Sequence, residues 1–493
     1  VSTPCLLALG ILGLGCADDR TQVDDAGPSS STGESSGSGE TETLGESADQ
    51  DTSAETDTDL DTGDTVDTGD TETDAPPSLC GDGEVGPLEE CDDGNTVDDD
   101  GCSNTCVSAC GVDFTLDMTV DEGWFAVQDL RGLPGAKLAL AGELEVSGQV
   151  RLRYVRANEG GIEQTLDSEV LGPGDATHHI QATAITDAGD IMALGRSAGI
   201  EDTAWLARYS GADLSEVWRV TLPLDDPQFL PEDLAVLASG DVVYTRTTEV
   251  ADNDDDILFE RRAFADGAVV WSSSFSGEMN GGWSLDRAAR VAVSSPGDGL
   301  WVAGIVRVDF ETHSATILEI DADDGAVLGA SVPLDDPGGS QEQVITDFSA
   351  GPGSRVAIAI NLLGPALQYH HSAVFMYESK VLAWSLLKTD LPWTEGAPYY
   401  FATVGLDDAG NTLVAGRYTH DFGSVTAPRV YVVKMSPTGE QLCNTRVGEG
   451  SDAVVVPASG FFGGGRGVLN LDSFGQGGMG PESGGNFIAG LRE

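Results

Sequence analysis

Two residue types in this chain could carry chemistry: eight cysteines and a large excess of carboxylates. Cys80, Cys91, Cys102, Cys106 and Cys110 all fall within residues 80–110. The intervals between the first three lack the C-x-x-C knuckles of zinc ribbons. This stretch is also too poor in apolar residues to build a core, so disulfides are expected to staple it, with zinc as the competing reading. Between Cys91 and Cys102, Asp92, Asp93, Asn95, Asp98, Asp99 and Asp100 offer oxygen donors of the kind Ca2+ takes. The same residues can satisfy their own backbone in Asx turns. A calcium site and a set of turns therefore stand side by side as readings, and no other cofactor is expected.

The remaining candidates are weaker. His178, His179, His313, His370, His371 and His420 show neither H-E-x-x-H nor a zinc spacing. The two adjacent pairs are read as inter-strand or loop residues. Asp252, Asp254, Asp255 and Asp256 read as a solvated acidic loop, because Ile257 stands where an EF-hand loop needs glycine. Gly33-Glu34-Ser35-Ser36-Gly37 fits the hydrolase G-x-S-x-G pattern but lacks the strand, turn and helix that pattern requires. Gly475–Gly480 fits G-x-G-x-x-G but runs into Pro481 and opens no helix. With no catalytic set, a non-enzyme is expected. Charge narrows the partners further. Asp plus Glu number 83 against 24 Lys plus Arg, a net charge of −59, whereas nucleic-acid binding relies on cations that neutralise phosphates.

The elements that would position these residues divide the chain into four parts: 1–15, 16–79, 80–110 and 111–493. Residues 5–15, CLLALGILGLG, form an apolar run too short to span a bilayer and suited to a signal-peptide core. The run ending Leu14-Gly15-Cys16 resembles a bacterial lipobox. That resemblance implies acylation of Cys16, a lipid anchor in the membrane and a place in the cell envelope, at the outer membrane or cell surface. Residues 17–79 carry 19 acids and a single base, Arg20, among Ser, Thr and Gly. Too few apolar residues are present to offset chain entropy, so a disordered, extended acidic linker is expected.

The phrase C-G-D-G…E-E-C-D-D-G-N-T…D-G-C-S-x-x-C closely resembles a short Cys-rich repeat of myxobacterial surface proteins, itself similar to Lin-12/Notch modules. Cys80, Gly81, Asp82, Gly83, Glu90, Cys91, Asp92, Asp93, Gly94, Asn95, Gly101, Cys102, Ser103 and Cys106 carry the match. The resemblance implies no enzymatic activity. If Cys5 leaves with the signal and Cys16 is acylated, Cys80, Cys91, Cys102, Cys106, Cys110 and Cys443 remain. Should four pair within the module, Cys110 is left to bridge to Cys443, one of the many connectivities six cysteines allow.

Residues 111–493 repeat. Turn glycines precede apolar strands at Gly135, Gly189, Gly240, Gly299, Gly353, Gly410 and Gly460, a period of roughly 54 residues. A second column, after a later turn, reads Thr165, Trp218, Trp271, Gly329, Trp384, Cys443. In the Leu406–Cys443 unit the turn 407–411 leads into a strand at 412–415, then a loop, then a strand at 429–435. That unit resembles bacterial propeller repeats of the D-x-x-G-N-x-x-V-x-G type. The expected fold is all-β: a seven-bladed β-propeller of four-stranded antiparallel blades. Residues 112–120 are expected to supply the outer strand that the last unit lacks, closing the ring. The tryptophans are read as packing between blades. The segments LALAG, IMALG, VVYT, LWVAG, VAIAI and TLVAG are read as the innermost strands, too apolar for a catalytic channel. The chain is therefore expected to be a monomer that presents a propeller to a protein or glycan ligand. The alternatives are a secreted propeller hydrolase, lyase or dehydrogenase with a central-channel site, or a structural envelope protein.

Overall fold

The computed structural model describes Gly81, Gly83 and Gly94, and residues 112–491 apart from 119–123, 134–136, 159, 172–176, 199–202, 224–230, 252–253, 278–285, 295–298, 308–312, 331–341, 364–368, 388–399, 423–424, 448–453, 464–465 and 475–484. The signal-like run, Cys16, the acidic linker, the module cysteines and the calcium-candidate side chains lie outside the described residues. Within them, no helix is long and apolar enough to cross a membrane.

Every described element is a strand. β1 (Val112–Asp117) comes first. Six sheets are then each built from four consecutive strands. The first holds β2 (Trp124–Leu133), β3 (Lys137–Val146), β4 (Gln149–Asn158) and β5 (Gly161–Asp167). The second holds β6 (Thr177–Ile185), β7 (Ile191–Ala198), β8 (Thr203–Tyr209) and β9 (Glu216–Leu222). The third holds β10 (Pro231–Val236), β11 (Val242–Ala251), β12 (Asp254–Arg262) and β13 (Val269–Phe275). The fourth holds β14 (Arg287–Val293), β15 (Leu300–Arg307), β16 (His313–Ile320) and β17 (Val327–Ala330). The fifth holds β18 (Glu342–Gly351), β19 (Arg355–Leu363), β20 (Tyr369–Glu378) and β21 (Val381–Leu387). The sixth holds β22 (Tyr400–Leu406), β23 (Thr412–Phe422), β24 (Val425–Met435) and β25 (Gln441–Val447).

A further sheet draws on both ends of this region. β26 (Val454–Gly463), β27 (Arg466–Phe474) and β28 (Gly485–Leu491) are completed by β1, which pairs antiparallel with β28 from Val112↔Leu491 to Asp117↔Phe487. The first strand of each sheet touches the first strand of the next, β2 to β6 to β10 to β14 to β18 to β22 to β26 and back to β2. This closed ring of antiparallel four-stranded blades is a β-propeller. The first strand of each sheet is an edge, but the ring of neighbouring first strands shields it from another chain.

The ring corrects three sequence expectations. The apolar segments LALAG through TLVAG are the second strands, not the innermost. They read as continuous apolar runs because both of their faces are covered. In β19, Val356, Ile358, Ile360 and Leu362 join the core shared with the fourth sheet, while Ala357 and Ala359 join the core shared with the sixth. Gly460 is inside β26 rather than at a turn, since β26 and β27 meet at Gly463↔Arg466. The stretch between 416 and 429 is no loop. β23 and β24 stay paired to Phe422↔Val425. Gly189 (87°), Gly240 (87°), Gly353 (73°) and Gly410 (83°) keep the positive φ that favours glycine.

Register also refines the tryptophan column. Each outer strand of the six consecutive-strand sheets carries a bulge near its start, and the residue after it faces the third strand: Arg156↔Gln164, Arg208↔Trp218, Arg261↔Trp271, Glu319↔Gly329, Met376↔Trp384 and Lys434↔Cys443. The first member is thus Gln164, not Thr165, since it is Gln164 that register places opposite Arg156. The tryptophans pack across the blade boundary as expected. The indole Nε1 of Trp218 donates to the Phe264 carbonyl at 2.9 Å, and that of Trp271 to the Ala322 carbonyl at 2.9 Å. Both acceptors belong to the turn before the next sheet's outer strand.

Candidate active or binding surfaces

Of the true inner strands, β2, β10, β14 and β18 carry charged residues, while β22 and β26 are mainly apolar. Each inner strand carries a bulge near its middle, with register breaks around Gln128, Gln181, Glu232, Ala289, Thr346, Ala402 and Ala458. Next to these breaks stand Asp129, Asp233, Arg290, Asp347 and Thr403. Three of the carboxylates reach the following blade. Asp129 Oδ2 accepts from the Ile185 amide at 2.8 Å, and Asp233 Oδ2 from the Val291 amide at 3.0 Å. Asp347 Oδ2 accepts from the Val404 amide at 2.9 Å and from Thr403 Oγ1 at 2.5 Å. The Arg290 guanidinium donates to the Ala289 and Thr346 carbonyls. Gln128 Nε2 donates to the Ile180 carbonyl, and Arg131 bonds the Ile185 carbonyl and Asp187.

These carboxyls hold protons more tightly than usual. Burial pushes Asp129 and Asp233 up to about 6, against the opposing pull of amide hydrogen bonds and of Arg131 and Arg290. Burial also raises Asp347. Glu232 is raised to about 7, first by burial and then by Asp233, with Arg290 and Arg287 pulling it back. Its side chain keeps contact with solvent although protein atoms crowd it.

A second surface opens on the rim. A cleft of about 660 Å³ is lined by Leu133, Lys137, Arg156, Glu163 and Gln164 of the first sheet and by the β6–β7 turn at Asp187–Gly189. Its walls are braced. Lys137 Nζ meets Glu163 Oε2 at 2.8 Å, Asn158 Nδ2 donates to Glu163 Oε1 at 2.7 Å, and Arg156 lies over the Tyr154 ring at 5.3 Å. Both signs of charge, an amide and an apolar floor at Leu133 suit a polar ligand with a carbon face.

The sequence candidates fall elsewhere. His178 and His179 are on β6, and His370 and His371 on β20, so both pairs lie within strands. The buried His178 Nδ1 shares a hydrogen bond with Ser197 Oγ at 2.7 Å, and His179 Nδ1 is 3.5 Å from Glu143 Oε1. Neighbouring strand residues face opposite ways, which separates His178 from His179, while the side chains of His370 and His371 lie outside the described residues. Asp254, Asp255 and Asp256 form the start of β12 rather than a loop, and Asp255 and Asp256 are buried. Among the described residues no three His, Cys, Asp or Glu side chains are grouped to hold a metal. Cys443 is buried and disulfide-bonded, with its partner outside the described residues. The polar inner-strand residues escaped sequence reading because strands with one polar face and a bulge break the apolar periodicity. Their signal was an Asp recurring in every second repeat, at 129, 233 and 347.

A family model described as a domain of unknown function, DUF4215, matches residues 77–107, the Cys-rich region. No curated protein matches the chain. The ring is similar to solved structures of a polysaccharide lyase of family PL25, an ulvan lyase. Its unbound form matches at TM-score 0.51, and its complex with -[GlcA(1-4)Rha3S]- at 0.50. In both cases identity is 10%, over 76% of this chain and 96% of the other. The propeller domain of the Trilobed protease from Pyrococcus furiosus matches at TM-score 0.41 and 10% identity, over 72% of this chain and 96% of that domain. At such identities the likeness extends to the fold: what is shown of this chain is a Cys-rich DUF4215 region followed by an all-β propeller.

Proposed function

We propose that this chain is a non-enzymatic binding protein of the cell envelope, anchored through acylated Cys16, whose propeller takes a polar protein or glycan ligand. In this reading β1 completes a seventh blade, and the acidic linker spaces the ring from the membrane. The observation that supports it best is the use made of the inner-ring carboxylates. Asp129, Asp233 and Asp347 each bond the backbone of the next blade. They serve the scaffold, and the ligand falls to the rim cleft around Arg156 and Gln164. The test is binding of the full-length protein to glycan arrays and envelope extracts. Arg156→Glu with Lys137→Glu is expected to lower affinity at least tenfold, while Cys16→Ala moves the protein from the membrane to the soluble fraction without altering affinity. Unchanged binding by the charge-reversed variant would remove the cleft from the reading.

One observation favours an enzyme instead. Glu232, raised to about 7 and open to solvent, is poised to exchange a proton near neutral pH. That reading requires turnover of a bound ligand that Glu232→Gln abolishes.

A further inference from the structure

Where the residue that follows the outer-strand bulge is tryptophan, it meets the same partner each time. A Cβ on Gly267 would lie 2.9 Å from the Trp218 ring, one on Gly325 2.6 Å from Trp271, and one on Gly439 2.7 Å from Trp384. In all three cases the glycine has positive φ and stands two residues before the next sheet's outer strand, which begins at Val269, Val327 and Gln441. Tryptophan and glycine therefore share one interblade slot, a large residue against a small one. Where the column lacks tryptophan, the slot is filled from the other side. Gln164 corresponds to Leu214, two residues before Glu216, buried in the core between the first and second sheets and also at positive φ, 53°. A Cβ on Gly329 would strike Lys380 Nζ at 2.6 Å, and that lysine also ion-pairs with Glu319 at 2.5 Å.

The sixth sheet presents Cys443 to this slot, and Cys443 is disulfide-bonded. Here the next outer strand is β1, which starts at Val112 and has no hairpin turn before it, because its neighbour β28 comes from the other end of the chain. The residue two before Val112 is Cys110. We infer that Cys110 and Cys443 form the disulfide that occupies this last slot, stapling the closing blade where a turn is missing. The pairing leaves Cys80, Cys91, Cys102 and Cys106, an even set for the module itself. In forming it, two S–H bonds break and one S–S bond forms. The two electrons and two protons pass to the disulfide of a dithiol–disulfide oxidase of the exporting compartment, which leaves as a dithiol.

The test uses the full-length exported protein. In the parent chain, thiol alkylation without reductant is expected to leave Cys443 unlabelled. Cys110→Ser should expose one new thiol, at Cys443, with the module cysteines still oxidised, and should lower the melting temperature by about 5–10 °C. The double variant Cys110→Gly/Cys443→Trp, which installs the sister-blade solution, should recover at least half of that loss. A Cys443 that stays oxidised in Cys110→Ser overturns the pairing. A double variant that melts no higher than Cys110→Ser overturns the shared slot.

Discussion

At the scale of single residues, the ring's interior trades proton affinity for interblade bonding. Glu232, Asp129 and Asp233 all titrate above their ordinary values because burial disfavours their charged forms. A carboxyl with a raised folded-state pKa favours folding most fully below its unfolded value and loses that contribution as pH rises to its folded value. Stability from these groups is therefore present at pH 4 and declines between about 4.5 and 7. Self-repulsion from the −59 net charge acts in the same direction, so a single-charge variant is needed to isolate one group. Glu232→Gln is expected to raise the melting temperature at pH 8 and leave it nearly unchanged at pH 4.5. Thermal melts at the two pH values check this, and equal shifts at both would place the Glu232 pKa near its ordinary value. None of these residues was legible as a site from sequence. An isolated Asp in a polar strand looks like any surface Asp until the bulge turns it toward the next blade.

Among the elements, the unit of packing is not the blade but the boundary between blades. Trp271 shows this best. It is buried, it packs edge-on against Phe259 at 6.2 Å, and it caps Gly325 of the neighbouring sheet. Trp271→Ala is expected to destabilise the protein by about 3–5 kcal/mol through the cavity and the lost hydrogen bond to Ala322. Gly325→Ala attacks the same slot from the other side, combining a 2.6 Å clash with a φ of 75°. A double-mutant cycle by chemical denaturation should find the pair strongly non-additive, because Trp271→Ala relieves the clash. This column was visible in the sequence because one large ring per repeat at constant spacing survives divergence that erases the rest. The inner strands were misassigned for the opposite reason: the most apolar strand of a propeller blade is the one covered on both faces, and that is the second. The Gln164 slip came from the adjacent glycines Gly160 and Gly161, which leave the turn residue to count from ambiguous by one.

For the whole molecule, the question is what holds a ring shut when its last sheet is made from both ends of the chain. β1 makes five register pairs with β28 and contributes to the core besides. Leu116, together with Met118 just beyond the strand, is buried in a core with Phe125, Val127, Leu130 and Leu140 of the first sheet, so the segment binds the closing sheet to the opening one. Burying side chains of this size stabilises by about 1.5–3 kcal/mol each, on top of the backbone bonds. Loss of β1 would uncover that core and leave β28 an unpaired edge, the geometry that invites strand addition from another copy. Residues 111–493 and residues 121–493 differ in β1 while both lack Cys110, so comparing them separates strand pairing from the disulfide. The longer fragment is expected to unfold cooperatively as a monomer. The shorter is expected to melt at least 10 °C lower and to associate with concentration in analytical ultracentrifugation. Were the two to melt together and remain monomeric, closure would have to reside in the contacts of β26 with β2 and β22, and β1 would be an ornament on a ring already complete.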